Sequence, residues 1–235
     1  MGRALRYPGL CGAMTERTGV EELALMFKGA AARIREQNQR LSELDCVAGD
    51  GDHGSTMLRA VEQLEGVTAG GQTGPRELLR EAGWKVMGVD GGASSALLGT
   101  FFAGMADIHG EGDTLDCREL AAAFECGLAA VRRQTKAQPG DKTMMDALVP
   151  AVGALRESAD AGNTVVDALR LAALAAQAGA RDTRNYAAKH GRAKYLGGKT
   201  LGHEDPGAVS VALLFDGFYR GLAESKGDAG NAGRG

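Results

Sequence analysis

The chain has 235 residues, enough for one domain with a full core and too few for two roomy ones. A net charge of -3, the lack of a long basic stripe and an aromatic content of 5% argue against nucleic-acid binding, which needs a cationic face and stacking platforms. No apolar run approaches the ~20 residues of a membrane span, and Met1 to Ala13 lack the apolar stretch of a secretory signal, so a cytoplasmic protein is expected.

Residues 1–18 read as a flexible N-terminal tail, with Met14 a more natural start than Met1. Leu23, Met26, Phe27, Ala30 and Ile34 recur at helical spacing and predict a helix over about 19–40. A loop from Leu41 to Gly54 follows, then a short helix to about Leu64. Thr73-Gly74-Pro75 sets a third helix start, with Pro75 suited to the first turn, and that helix ends near Gly88. Leu97, Leu98, Phe101, Phe102 and Met105 mark a fourth helix. Asp116 with Glu119 is a capping-box pair that opens a fifth, running to about Gln134. A sixth spans Thr143 to about Glu157, a seventh starts at Asn163 or Thr164 and reaches towards Ala188, and the last covers about Gly207 to Leu222. Residues 225–235 are Gly-rich and polar and read as a disordered C-terminal tail, leaving 19–224 as the domain.

Eight helices without alternating strands predict an all-α fold. Short connections favour antiparallel neighbours, hence an up-and-down bundle or helical barrel. The cysteines Cys11, Cys46, Cys117 and Cys126 show no metal-ligand spacing and read as reduced thiols, three of them in or near the core.

Four segments carry candidate chemistry. The first is Leu44 to Gly54, with Asp45, Asp50 and Asp52 inside it. On a helix Asp50 and Asp52 would point about 200° apart, but a loop freed by Gly49, Gly51 and Gly54 can turn them inward together. Converging carboxylates repel and call for a cation, and hard oxygen ligands select Mg²⁺ or Ca²⁺. The spacing does not fit an EF-hand, and a solvated turn is the plainer alternative. The second segment is Gly88 to Ser95, a glycine-rich stretch before a helix, suited to phosphate although it is not a P-loop. The third is Gly140-Asp141-Lys142-Thr143-Met144, where Asp141 or Thr143 could equally be a helix cap. The fourth is Gly191 to Leu196 followed by Gly202 to Ala208, where Arg192 and Lys194 could offset phosphate charge or lie on solvated surface.

Taken together and in this order, the four segments resemble the L subunit of dihydroxyacetone kinases, the DhaL or DAK2-type nucleotide-binding domain. The resemblance runs from about Glu21 to Leu222 and rests on Asp-x4-Asp-x-Asp-His-Gly, Gly-Gly-Ala-Ser, Gly-Asp-Lys-Thr-Met and Gly-His-x-Asp-Pro-Gly-Ala. It implies an antiparallel eight-helix barrel. It implies that Asp45, Asp50 and Asp52 hold two Mg²⁺ ions, that His53, Ser55 and Thr56 lie at the nucleotide site, and that Gly91, Gly92, Ala93 and Ser94 contact phosphates. It further implies that Gly140, Thr143, Met144, Asp205 and Gly207 line the adenosine side, with Arg192 nearby.

The implied activity is transfer of the terminal phosphoryl group of ATP to a short ketose held by a separate K-type subunit, with no covalent nucleophile on this chain. Another mode of the family keeps ADP as a bound coenzyme recharged by a phosphotransferase-system protein; ATP exchange is the reading favoured here. A regulatory module that binds a transcription factor is the non-enzymatic alternative, and a homodimer is expected. Fatty-acid kinase domains are a sister group, but they typically carry threonine in place of His53. Ser95 stands where many members have glycine.

Overall fold

The structure, a computed structural model, describes residues 17–108 and 112–232, with the backbone alone for 226–232. Among the described residues there are eight α-helices: α1 (Val20–Cys46), α2 (His53–Val67), α3 (Pro75–Met87), α4 (Gly92–Met105), α5 (Cys117–Gln134), α6 (Met145–Asp160), α7 (Val165–Asp182) and α8 (Pro206–Ala232). Two 3-10 segments, Thr183–Asn185 and Arg192–Thr200, interrupt the connection between α7 and α8. Each helix packs on its successor, and α8 closes the ring against α1. The result is the antiparallel up-and-down barrel that the helix pattern predicts.

The buried positions explain why the ring closes. Leu23, Met26, Phe27, Ala30 and Ile34 of α1 face inward at helical spacing. All six phenylalanines of the chain, Phe27, Phe101, Phe102, Phe124, Phe215 and Phe218, meet in the lumen through edge-on and tilted contacts with ring centroids 5.5 to 6.5 Å apart. The α1–α8 seam is closer still: a Cβ on Gly29 would overlap the carbonyl oxygen of Gly217, so the two backbones touch where glycine removes the side chain.

Several boundaries differ from the sequence reading. Helix α1 continues to Cys46, because Leu41 is fully buried and nothing from Leu41 to Asp45 breaks a helix. Asp45 therefore sits on the last helical turn and not in the loop. Helix α2 runs on to Val67, and α7 stops at Asp182, short of Ala188. Helix α8 passes Leu222 and continues to Ala232, so the backbone of 225–232 extends the helix where a disordered tail was expected; no proline stands in its way. Of the expected N-terminal tail, 1–16 lie outside the described residues, as does Cys11. Residues 17 and 18 are docked: Thr18 exchanges backbone hydrogen bonds of 2.7 and 2.8 Å with Leu115, and Arg17 donates to the Thr114 carbonyl at 2.7 Å. Cys46 is exposed and not part of the core, whereas Cys117 and Cys126 are half-buried against it.

In an up-and-down ring successive connections alternate between the two ends. The α1–α2, α3–α4, α5–α6 and α7–α8 connections share one end, and the α2–α3, α4–α5 and α6–α7 connections share the other. Cross-links at the second end agree: Arg76 donates to the Ile108 carbonyl at 2.6 Å, and Arg118 to the Asp160 carbonyl at 3.5 Å.

Candidate functional site

All four sequence segments fall on connections of the first end, so parity alone gathers them. Asp45, Asp50 and Asp52 each offer a carboxylate oxygen within 4.8 Å of the others. Asp45 comes from the end of α1, Asp50 from the loop, and Asp52 stands immediately before α2. The loop makes this possible by folding back: the Gly51 N–H donates to Asp45 Oδ2 at 2.9 Å, and Gly51 adopts φ of +79°, which a side chain would strain. Gly49 lies directly on the Asp45 carboxylate, where a Cβ would collide with it. The guanidinium of Arg192 pairs with Asp50 across the chain and holds its carboxyl below the usual range. This donor set, three anionic oxygens on one side of a tight turn, fits a hard divalent cation.

His53 is buried at the start of α2, and its Nε2 lies 3.2 Å from Ser210 Oγ, which donates to the Gly207 carbonyl at 2.9 Å. Burial pushes its pKa down, and the carboxylates of Asp45 and Asp52 pull it partly back. Ser55 Oγ donates to the Asp52 carbonyl at 2.8 Å, which finishes the turn. Buried Thr56 is the surface on which Gly91 rests, since a Cβ on Gly91 would overlap Thr56 Cγ2. The α3–α4 loop is thereby laid against the first turn of α2.

Gly92 has φ of +68° and open space where a Cβ would stand, and Ala93 is exposed. These residues form the first turn of α4, where backbone N–H groups lack helical acceptors. Ser95 is buried, and its hydroxyl donates to the Val89 carbonyl at 2.9 Å. It therefore braces the loop from behind instead of lining it.

The other half of this end is formed by the third and fourth segments. Asp146, on the first turn of α6, accepts from the Gly140 N–H at 2.5 Å and the Thr143 N–H at 2.7 Å. Gly207 lies beside Met144, whose N and Cβ would stand 3.4 and 3.5 Å from a Cβ on Gly207. Asp205 caps α8 by accepting from the Ala208 N–H at 2.7 Å. Burial pushes its carboxyl up to about 7, against the pull of the Ala208 N–H. Asp141 binds Lys189 at 2.7 Å and His190 at 3.1 Å, and the Lys189 hydrogen bond holds it at about 2.

The structure brings every sequence candidate to this end, in two clusters joined by Arg192 with Asp50, Arg40 with Glu204 and His53 with Ser210. It also adds residues that the motifs did not single out. Arg59 donates to the Asp90 carbonyl at 2.7 Å, and buried Glu204 takes Arg40 at 2.6 Å and Arg184 at 3.2 Å. Their signal in the sequence is weak because each pair joins distant segments.

A family model described as the DAK2 domain matches residues 47–220. The chain is 36% identical over 184 residues to the "PEP-dependent dihydroxyacetone kinase 1, ADP-binding subunit DhaL" of Listeria innocua, covering 78% of this chain and 87% of that protein. It is 37% identical over 179 residues to the corresponding Escherichia coli subunit, covering 76% and 85%. The L-erythrulose 1-kinase of Mycolicibacterium smegmatis is 37% identical over 184 residues, covering 76% of this chain but 32% of that longer protein. Among solved structures, the dihydroxyacetone kinase from C. freundii in complex with AMP-PNP and Mg²⁺ superposes with a TM-score of 0.66 at 28% identity, over 96% of this chain and 37% of that one.

Proposed function

The chain belongs to the DAK2 domain family, and from that premise we propose that it is the nucleotide- and Mg²⁺-binding subunit of a dihydroxyacetone or related short-ketose kinase. It would pass a terminal phosphoryl group to a ketose held on a separate K-type subunit. The observation that carries this reading is the Asp45–Asp50–Asp52 cluster, within 4.8 Å, at the same barrel end as the Gly91–Ser94 turn.

Asp45, Asp50 and Asp52 would hold the metal, with two ions expected. Bound Mg²⁺ supplies charge neutralisation along the phosphate chain. The N–H groups of Ala93 and Ser94, at the positive end of α4, face an anion without reorganisation. The space at Gly92 lets a phosphate approach the backbone. Arg192 adds an exposed positive charge beside Asp50, and Met144 with Gly207 offers a close-packed wall for the nucleoside. No residue here is assigned as a covalent nucleophile. The ketose, the partner subunit and a cytoplasmic homodimer belong to the same proposal; no helix of the described residues is long and apolar enough to cross a membrane.

A second reading concerns the donor. Two relatives matched over most of their own length are named PEP-dependent and ADP-binding. That favours a bound ADP coenzyme recharged by a phosphotransferase-system protein over the free ATP exchange expected from the sequence. Acid extraction of the purified subunit and mass spectrometry separate the two. Stoichiometric ADP that survives desalting in Mg²⁺ supports the coenzyme mode, and an empty site that takes up ATP reversibly supports exchange. Failure to bind either nucleotide overturns the kinase reading and leaves the regulatory one.

A further inference from the structure

Lys142 is the one non-glycine residue among those described with a left-handed backbone, at φ of +60°. Its side chain is buried, and its Nζ donates to the carbonyls of Thr183, at 2.6 Å, and His203. Those two carbonyls stand at opposite ends of the long α7–α8 connection. One ammonium therefore ties the α5–α6 loop to both ends of the segment that carries Arg192 and leads into Asp205.

The surroundings enforce this arrangement. Asp146 takes the N–H groups of Gly140 and Thr143 on either side, and Asp141 accepts from the Gln138 N–H at 2.9 Å. The left-handed residue is thus held from both flanks, and its orientation aims the side chain inward. Thr183 extends the tie: its hydroxyl accepts from the Asp205 N–H at 2.9 Å. Burial lowers the pKa of the ammonium, and Asp205, Asp146 and Glu204 pull it only partly back. A strained conformation kept by several independent bonds points to a positional requirement.

We infer that Lys142 is a positioning residue for the nucleoside half of the site: its ammonium locks the Gly140–Met144 loop to the Thr183 and His203 carbonyls and so sets Met144 against Gly207. The inference rests on the proposed nucleotide-binding function. It does not extend to the phosphate half, which is built on α1, α2 and α4.

The test is calorimetric titration of the full chain with ADP and, separately, with inorganic tripolyphosphate, both in Mg²⁺. Lys142→Gly keeps a backbone that accepts φ of +60° and removes the whole side chain; Lys142→Met removes the charge while keeping bulk; Lys142→Arg restores a cation. The expected result is at least a tenfold loss of ADP affinity in the Gly and Met variants, partial recovery with Arg, and tripolyphosphate binding unchanged throughout. Circular dichroism verifies the helical content, and the Gly variant covers the case in which Met fails to fold. Native ADP affinity in the Gly variant overturns the inference, as does equal loss of both ligands, which marks a general structural role. If the unsubstituted chain binds tripolyphosphate but not ADP, or binds neither, the nucleotide reading itself fails and the inference falls with it.

Discussion

Replacing Asp205 with asparagine isolates the electrostatic cost of its buried carboxyl. The folded pKa is about 7 against an ordinary value of 3.8, with burial the leading cause. The folded state thus holds the proton more tightly than the unfolded one. The resulting stabilisation is fully present below pH 3.8 and is lost as pH rises through 7. Between pH 5 and pH 8 this amounts to a loss of roughly 2–3 kcal/mol, an upper bound because Asp205 is only half-buried. Asp205→Asn keeps an oxygen to accept from the Ala208 N–H and carries no titrating proton. Urea unfolding of both proteins at several pH values, without Mg²⁺ or nucleotide, gives the difference directly, and the titrating groups that do not interact with Asp205, as Asp146 and Lys142 do, cancel in it. The variant should gain on the native protein by roughly 2–3 kcal/mol from pH 5 to pH 8. Parallel profiles across that range would refute the assignment of a raised pKa to this carboxyl.

Other perturbations separate the site from the scaffold. Asp52→Ala should lower Mg²⁺-dependent ADP affinity and phosphoryl transfer by orders of magnitude, because it removes one of three converging oxygens; calorimetry with and without Mg²⁺ checks it, and an unchanged metal dependence refutes the cluster as the metal site. Gly29→Ala should cost roughly 1–3 kcal/mol in urea unfolding, since its Cβ meets the Gly217 carbonyl at the closing seam and backbone must move. Asp116→Ala removes the capping bond to the Glu119 N–H and should cost about 1 kcal/mol while leaving ADP affinity unchanged, because the α5 N-terminus is at the opposite end.

The helical content was legible because apolar spacing and capping signals are local. Asp116 with Glu119 and Pro75 at a first turn mark their helices as the structure has them. The sequence reading ends α1 before Leu41, whereas Leu41 and Leu44 keep the helical period and the glycine-rich stretch begins only at Gly49. The candidate residues were legible as motifs, but their contacts were not. Arg192 and Asp50 are 142 positions apart, and Arg40 and Glu204 are 164 apart. Lys142 read as part of a cap motif, because its left-handed backbone and buried ammonium depend on Asp146 and on carbonyls from another connection. Nothing in the local composition encodes those partners.

What composition did encode was the connection on which each motif lies, and ring parity converts that into location. Segments at the first, third, fifth and seventh connections of an alternating eight-helix ring must share an end, whatever their separation in sequence. The two halves then differ in the chemistry that closes them. Around α1, α2 and α4 the loops turn on glycine and leave carboxylates and N–H groups outward, an arrangement suited to cations and phosphates. Around α6 and α8 they turn on Asp146, Lys142 and Asp205, whose polar groups are spent on the protein's own backbone. An outward-facing half can be neutralised by a ligand, whereas an inward-facing half shapes a wall before any ligand arrives. Arg192, which crosses from the second half to Asp50 in the first, joins the two, as do Arg40 with Glu204 and His53 with Ser210.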